Sequence, residues 1–535
     1  MNTCRERSGL KLYLVIASGC LAGAWIAWLL PELALHRGGT AAPSGDLLLV
    51  LATAGSALAL LLDRLLRWAH NRDGKPPLSA SLLPWSAALF PAAAWLLPES
   101  YFARTITPFG GIKYLLAASW LLGSALFSAF LLRPLLAERI PHRIAAGWTV
   151  LALLASFATA SQPPNESDEG DFIAAALAIA HNGSTLLPPI IDPPVLDDFY
   201  FEKIPPSWDY YRFMLRHYPE NLNVYSLRMA GYPVILAPFV ACASRAREPV
   251  ARWWIAYLPG LAGYFLLLLA LTRILLPHGK AGTIALTAFA TATPVLYYPT
   301  NTQPEIFMAA TVAWSLHLLD EYLAGRKGPT AFAAVTTMSM LLHERMAGVA
   351  VPLLVLAFFF GRARIRLVIA SAVFFLPVAF SYAATFQFRW PHQLPHAYGS
   401  SSAHFFQPAR WMTAAIAHAF SIRIGIFMHL PPLLALFGLV LRKSAPHPDN
   451  TAHRIGMVAF LAYAALIVTY PHTFDSWPHI RYMIPILPLL APWLADAMKR
   501  LLDRSWGLYV LGALIGMQFL LDWAFLAIPQ LWRAL

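Results

Sequence analysis

The sequence predicts an all-α, polytopic membrane protein with about 13–15 transmembrane helices. Of its 535 residues, 58% are hydrophobic and only 12% are charged, whereas roughly a quarter of the residues of a soluble globular protein are charged. Apolar runs of about 18 residues or more recur along the chain, and a helix needs this length to cross the hydrocarbon core. Arg and Lys residues lie in short clusters between these runs, as expected of cytoplasmic loops.

The same clustering excludes other classes of protein. The formal net charge of +12 is distributed over short loops, so it indicates membrane topology and no nucleic-acid partner. The three cysteines Cys4, Cys20 and Cys242 have neither disulfide nor metal-site spacing. The N-terminus resembles a signal peptide, but its apolar run continues through "LAGAWIAWLL", which favours an uncleaved first span.

Residues 1–142 are predicted to form an accessory transmembrane block of about four spans. The predicted spans are 11–30, 46–67, 80–98 and 113–135. The basic clusters before the first span and after the second and fourth lie on one side of the membrane if the N-terminus is cytoplasmic. We therefore expect a multi-pass protein of a bacterial inner membrane with a cytoplasmic N-terminus.

The fifth predicted span, 143–160, leads into the stretch "SDEGDF" at 167–172. With a cytoplasmic N-terminus, this acidic stretch lies on the periplasmic side. It opens the largest predicted external loop, 161–228, whose many proline and aromatic residues favour a semi-rigid cover over a cleft.

Segment 229–243 determines the topology of everything after it. It is only about 15 residues long and contains Pro233 and Pro238, so we expect a re-entrant or interfacial helix. If it spanned the membrane instead, five later clusters of Arg and Lys would become external, contrary to the positive-inside rule.

Ten further spans complete the prediction. They are 253–275, 282–298, 306–323, 330–345, 347–361, 365–387, 423–441, 455–470, 481–498 and 507–528. A second external loop is predicted over 388–422. The catalytic core is expected to cover 143–500, and 501–535 contains the C-terminal span.

This topology places several ionisable residues together on the outer face, at the ends of predicted helices. They are Asp168, Glu169, Glu305, His343, Arg345, Arg423, His479 and Arg481. Charges near a membrane are costly unless they are paired or face water, which makes these residues functional candidates. Each also has a structural interpretation. The acidic stretch could be a helix cap or a solvated loop, and the charges of "HER" could pair with one another in a tight turn. The later arginines could be interfacial residues whose charged ends reach the membrane surface.

Several motifs together resemble the GT-C superfamily of integral-membrane glycosyltransferases. They are "SDEGDF" after a span, "AIAHNGSTLLPP", "YSLRMAGYPVILAPF", "YYPTNTQPE", "LLHERMA", "SIRIGIFMHLPPLLALFGL" and "HIRYMIPILPLLA". The resemblance covers roughly 143–500. Two departures affect substrate detail: "DEGDF" replaces a "DEPHY"-like string, and Ser421 stands where the family often has Asp.

The resemblance implies a hexosyl- or pentosyltransferase that takes a sugar from a polyprenyl-phosphate donor and passes it to a lipid, glycan or protein acceptor. It implies Asp168 as the carboxylate that assists an inverting displacement, with Glu169 as a second candidate. The arginines and histidines listed above would hold the leaving phosphate, and Glu305 would orient an arginine or bind sugar hydroxyls.

Other functions remain open at this stage. The sequence establishes no cofactor, although clustered carboxylates such as Asp168 and Glu169 suit a Mg²⁺ or Mn²⁺ ion. A transporter or flippase for a lipid-linked saccharide is one alternative, but it is expected to carry polar residues at the bilayer midplane within repeated halves. A glycan ligase or polymerase is another alternative, and it differs from the glycosyltransferase described above only in its acceptor.

Overall fold

A computed structural model describes residues 167–184, 229–383, 408–420, 425–437, 450–469 and 481–527. In these ranges 87% of the residues are helical and no strand occurs, which confirms the predicted helical class for the described part of the chain. The described residues belong to two compact units, one within 145–496 and one that contains 497–527. The predicted domain limits at 142 and 500 stay predictions.

The described residues form the following α-helices in chain order. They are α1 (Ser167–Asn182), α2 (Gly231–Ala243), α3 (Pro249–Leu275), α4 (Gly279–Thr291), α5 (Thr293–Tyr297), α6 (Glu305–Leu323), α7 (Pro329–Met338), α8 (Ala347–Phe360), α9 (Arg364–Tyr382), α10 (Pro408–Phe420), α11 (Ile426–His429), α12 (Thr451–Thr469), α13 (Ala491–Leu502) and α14 (Ser505–Ala527). Short 3₁₀ helices occupy Leu276–His278, Tyr298–Thr300, Ser339–Leu341, Glu344–Met346, Pro431–Leu436 and Ile484–Leu490.

Three described stretches are long and apolar enough to cross a membrane: Ala251–Thr291, Arg364–Tyr382 and Thr451–Thr469. The first contains most of α3 and all of α4, joined by the 3₁₀ turn at Leu276–His278. The other two are α9 and α12, which lie where spans 365–387 and 455–470 were predicted. The predicted spans before residue 161 lie outside the described residues.

Other predicted spans are shorter or interrupted in the structure. Span 330–345 is a ten-residue helix, α7, followed by a 3₁₀ turn. The described parts of spans 423–441 and 481–498 contain the proline-rich 3₁₀ helices Pro431–Leu436 and Ile484–Leu490. Proline lacks the N–H that an α-helix needs, so a continuous α-helix does not form through these segments. The hydropathy pattern identified these segments as apolar, but hydropathy does not indicate where proline interrupts an α-helix.

Helix α2 contains 13 residues, which is about 20 Å of helix and too short for a membrane core of about 30 Å. Its length agrees with the short helix predicted for 229–243, although its re-entrant placement stays a prediction. Gly231, its first residue, lies against the turn at 339–341, since a Cβ added there would be 2.5 Å from the carbonyl oxygen of Leu341.

Helix α6 lies at the centre of the larger unit and packs against α3, α7, α12 and the 3₁₀ helix Ile484–Leu490. Two glycines of α3 permit this packing near the start of α6. A Cβ added to Gly260 would lie 2.6 Å from the carbonyl oxygen of Pro299, and one added to Gly263 would lie 2.9 Å from the Phe307 ring. Small residues therefore bring the backbones together where α6 begins.

Helix α1 is buried along most of its length. Every residue from Phe172 to Ala178 is at most 1% exposed, so this part of the helix is covered on all sides and has no solvent face. The sequence "FIAAALA" is apolar at every position, as expected of a fully buried helix.

Candidate functional site

The candidate site begins at Glu305, the first residue of α6. Residues 301–306 are buried, and the Asn301 Oδ1 atom accepts a 2.8 Å hydrogen bond from the backbone N–H of Gln303, which shapes the turn before the helix. Glu305 itself is 0% exposed. The partial positive charge of the helix N-terminus favours a carboxylate at this position, but a buried carboxylate also requires direct partners.

Two arginines supply these partners through the same carboxylate oxygen. Arg481 Nε donates a 2.6 Å hydrogen bond to Glu305 Oε1, and Arg345 Nη2 lies 3.5 Å from that oxygen. Both arginines are buried. The three side chains together carry a formal charge of +1, so one carboxylate neutralises only one of the two guanidinium groups.

Tyr482 helps to hold the second positive charge. The Arg345 guanidinium carbon lies 4.3 Å from the centre of the Tyr482 ring, and that of Arg481 lies 5.9 Å from it. The negative face of an aromatic ring attracts a nearby cation. Sequence reasoning missed Tyr482, and the available signal was its position directly after Arg481 in "HIRYM".

His343 contacts Arg345 and Glu344 through one ring nitrogen. The Nδ1 atom lies 3.3 Å from the backbone nitrogen of Arg345, 3.4 Å from Arg345 Nε and 3.0 Å from Glu344 Oε2. A single nitrogen accepts a hydrogen bond when unprotonated and donates one when protonated, so the arginine and the glutamate contacts are alternatives. His343 therefore links the buried arginine to the more exposed Glu344.

Glu344 lies in the 3₁₀ turn between α7 and α8 and is partly exposed. Burial by itself raises the pKa of its carboxyl group. The neighbouring His343 ring and the Arg345 charge more than offset burial and hold the pKa of Glu344 at about 2. The carboxylate is accordingly ionised at neutral pH.

Three buried polar atoms near this ion pair have no hydrogen-bond partner among the described residues: Glu305 Oε2, Arg345 Nη1 and Tyr463 Oη. Tyr463 lies on α12 beside the first turn of α8, since a Cβ added to Gly348 would be 3.2 Å from its ring. It is also within electrostatic range of Arg345 and Glu305. Buried polar atoms are almost always bonded, so such a group of three points to a ligand or water.

A chain of aromatic rings connects α1 to this site. The Phe172 ring lies 5.6 Å from that of Tyr232, which lies 5.7 Å from that of Phe307 in the first turn of α6. The first turn of α1, which contains Asp168 and Glu169, is thus at the same end of α6 as Glu305. The catalytic roles of these two carboxylates stay predictions.

The structure brings together four of the predicted site residues, namely Glu305, His343, Arg345 and Arg481. Arg423 and His479 lie outside the described residues. Within the part of the chain that the structure describes, no group of three His, Cys, Asp or Glu residues could hold a metal ion. A Mg²⁺ or Mn²⁺ ion at Asp168 and Glu169 also stays a prediction.

No protein-family model, curated protein or solved structure matches the chain significantly. Functional inference therefore depends on the chemistry of the cluster itself. Two buried arginines that share one carboxylate suit an anion with several acceptor oxygens, and the guanidinium group is the side chain best matched to phosphate.

Proposed function

We propose that the protein is a membrane glycosyltransferase of the GT-C type. It moves a sugar from a polyprenyl-phosphate carrier to a lipid, glycan or protein acceptor at the periplasmic face of a bacterial inner membrane. The observation that carries the proposal is the buried cluster of Arg345, Arg481 and Glu305, in which two arginines share one carboxylate oxygen at one end of α6.

The excess positive charge suits the leaving group of such a reaction. When the bond between the sugar and the lipid phosphate breaks, the phosphate gains negative charge, and fixed cations stabilise that charge most effectively in a site that excludes water. Arg345 Nη1 has no hydrogen-bond partner among the described residues, so this donor is available to a phosphate oxygen. Tyr482 and Glu305 keep the two guanidinium groups close together in spite of their mutual repulsion.

In the proposed reaction, an acceptor hydroxyl oxygen attacks the anomeric carbon as the bond from that carbon to the phosphate oxygen breaks. The acceptor proton passes to the Asp168 carboxylate, and polyprenyl phosphate leaves. The anomeric configuration inverts because the attack comes from the face opposite the leaving group. Glu169, the neighbour of Asp168, is the second candidate for the base.

The positions of charged residues favour a transferase over a transporter. Helix α6 has Glu305 at its first residue and no ionisable residue from there until His317. Secondary transporters generally bind their substrates near the bilayer midplane, whereas a lipid phosphate lies at the boundary of the membrane. A charged cluster at a helix end therefore suits an enzyme that acts on lipid-linked substrates.

The test uses the purified full-length chain in lipid nanodiscs. Polyprenyl phosphates carrying radiolabelled hexoses or pentoses are the donors, and transfer of label to membrane-extract acceptors is measured. We expect Asp168→Asn to lower the transfer rate by about 10²- to 10⁴-fold, since the loss of a general base has this effect. The matched control is Asp171→Asn, which changes a carboxylate three residues away and is expected to retain transfer.

Equal melting temperatures for the two variants would show that the loss concerns chemistry. Transfer by Asp168→Asn at the wild-type rate would contradict the assignment of the base. Absence of both lipid binding and transfer in the wild-type protein would contradict the proposed function as a whole.

A further inference from the structure

The three atoms without described partners differ in hydrogen-bonding chemistry. Glu305 Oε2, as a carboxylate oxygen, only accepts hydrogen bonds, whereas Arg345 Nη1 only donates them. Tyr463 Oη does both. Glu305 and Tyr463 are each 0% exposed, and Arg345 is 9% exposed, so bulk water does not satisfy these atoms in the described structure.

This combination identifies the chemistry of the missing partner. Ionised phosphate offers acceptor oxygens alone, so it can pair with Arg345 but not with Glu305 Oε2, which would repel it. A hydroxyl group both donates and accepts, and a ring with neighbouring hydroxyls can satisfy an acceptor, a donor and a phenol together. The requirement for a donor toward Glu305 therefore favours a polyhydroxylated ligand.

We infer that Glu305 Oε2 and Tyr463 Oη bind the sugar ring of the lipid-linked donor beside a phosphate held by Arg345 Nη1, with Tyr463 as a specificity residue for the sugar hydroxyls. The inference rests on the proposed function. It divides the cluster between two tasks: Arg345 and Arg481 hold the phosphate, while Glu305 and Tyr463 contact the sugar beside it.

Tyr463→Phe provides a test because it removes one oxygen atom and retains the ring. Without ligand, loss of a buried hydroxyl that has no partner among the described residues should leave the melting temperature unchanged or raise it by about 1–3 °C. With ligand, loss of one hydrogen bond should weaken binding of the sugar-bearing lipid by about 3- to 10-fold. A hydroxyl with a structural role would have the opposite effect on melting temperature.

The experiment measures binding to the full-length protein in nanodiscs for two kinds of probe. One is sugar-free polyprenyl phosphate, and the other is a set of polyprenyl phosphates that carry glucose, mannose or arabinose. We expect the wild type to bind at least one sugar-bearing lipid more tightly than the sugar-free lipid. We expect Tyr463→Phe to reduce this difference by about 3- to 10-fold and to keep its affinity for sugar-free polyprenyl phosphate. The matched control is Tyr322→Phe, which changes a buried tyrosine near the opposite end of α6.

Each other result has a definite meaning. If Tyr463→Phe bound every lipid with wild-type affinity, the inference would be overturned. That result is expected if the hydroxyl binds only water. The inference would also be overturned if the wild type bound sugar-bearing and sugar-free lipids equally well. It would be overturned likewise if Tyr463→Phe lost affinity for both lipids to the same extent. Neither result would contradict the proposed function. A wild type that binds no polyprenyl phosphate would overturn the proposed function, and the inference with it.

Discussion

The two ends of α6 hold their charges in opposite ways. At the Glu305 end, two buried arginines share one oxygen of one carboxylate. At the Asp320 end, about 22 Å away along the helix, Arg326 binds Asp320 at 2.6 Å and Glu321 at 2.8 Å, and its side chain is 52% exposed. At one end two arginines contact one carboxylate, and at the other one arginine contacts two carboxylates.

The comparison distinguishes charged side chains with a structural role, at the Asp320 end, from those with a proposed role in binding substrate, at the Glu305 end. Both carboxylate oxygens of Asp320 have partners: Arg326 Nη2 bonds to Oδ2, and Asn450 Nδ2 lies 3.2 Å from Oδ1 and joins the start of α12 to the end of α6. Water reaches this end, so its ion pairs contribute little and tolerate change. At the Glu305 end the pairing is incomplete and buried. Such an arrangement lowers the stability of the folded state, and natural proteins retain destabilising arrangements mainly at functional sites.

The largest expected contrast between the ends is in stability. Glu305→Ala removes the carboxylate that both buried arginines contact, and loss of one partner of a buried pair costs about 3–5 kcal/mol. Asp320→Ala should cost less than about 1 kcal/mol, since Arg326 keeps Glu321 and is solvated. The free energy of unfolding in detergent micelles measures both variants. Similar losses would mean that burial does not distinguish the two ends.

The next contrast is in ligand binding. We expect Arg345→Gln and Arg481→Gln each to weaken binding of polyprenyl phosphate by about 10- to 100-fold, because a hydrogen bond to a charged group contributes about 1.5–3 kcal/mol. Each variant leaves one arginine paired with Glu305, so folding should persist. Arg326→Gln serves as the control and should bind like the wild type. Unchanged affinity in the first two variants would make these arginines structural.

A smaller contrast is expected in backbone packing. Gly231→Ala places a methyl group 2.5 Å from a backbone oxygen of Leu341, next to the turn that contains Arg345, and overpacking of this kind costs about 1–3 kcal/mol. Gly328 has no neighbour within 4 Å of an added Cβ, so Gly328→Ala should change stability by about 0.5 kcal/mol or less. Thermal unfolding of both variants checks this, and equal melting temperatures would contradict the close approach of α2.

The smallest expected effect concerns acid stability at the Glu305 end. The pKa of Glu344 is lowered from its ordinary value of 4.5 to about 2 in the folded protein. Its contribution to stability is therefore present above about pH 4.5 and is lost as the pH falls toward 2. Because Glu344 is 39% exposed, the effect should be modest. Thermal unfolding between pH 6 and pH 3 should show a shallower acid dependence for Glu344→Gln than for the wild type.

Several features followed from local patterns in the sequence. Hydropathy located α9 and α12, and the charge pattern of the loops grouped Glu305, His343, Arg345 and Arg481 on one face before any coordinates were considered. Length and proline content indicated that 229–243 forms a short helix. These are properties of contiguous residues, so a window of sequence contains the information needed to predict them.

Other features could not be read from such windows. The hydrophobicity of 481–498 predicted one span, but Pro485 and Pro488 lie in a 3₁₀ helix, Ile484–Leu490, that packs against α6. The "FIAAALA" stretch of α1 is buried on all sides, and that burial depends on which elements surround it. Hydropathy measures preference for an apolar environment, but it does not say which neighbour supplies that environment.

Composition and periodicity were therefore sufficient to establish a helical, apolar chain with acidic and basic groups at the ends of its helices. Tertiary packing decided which of those groups meet. Arg345 and Arg481 lie 40 and 176 residues from Glu305 and reach the same oxygen, while Tyr482 and Tyr463, which were not among the predicted site residues, complete the cluster. The reason is physical: hydrophobic patterning is non-directional and local, whereas a hydrogen bond or ion pair depends on distances of a few ångströms between residues far apart in the chain.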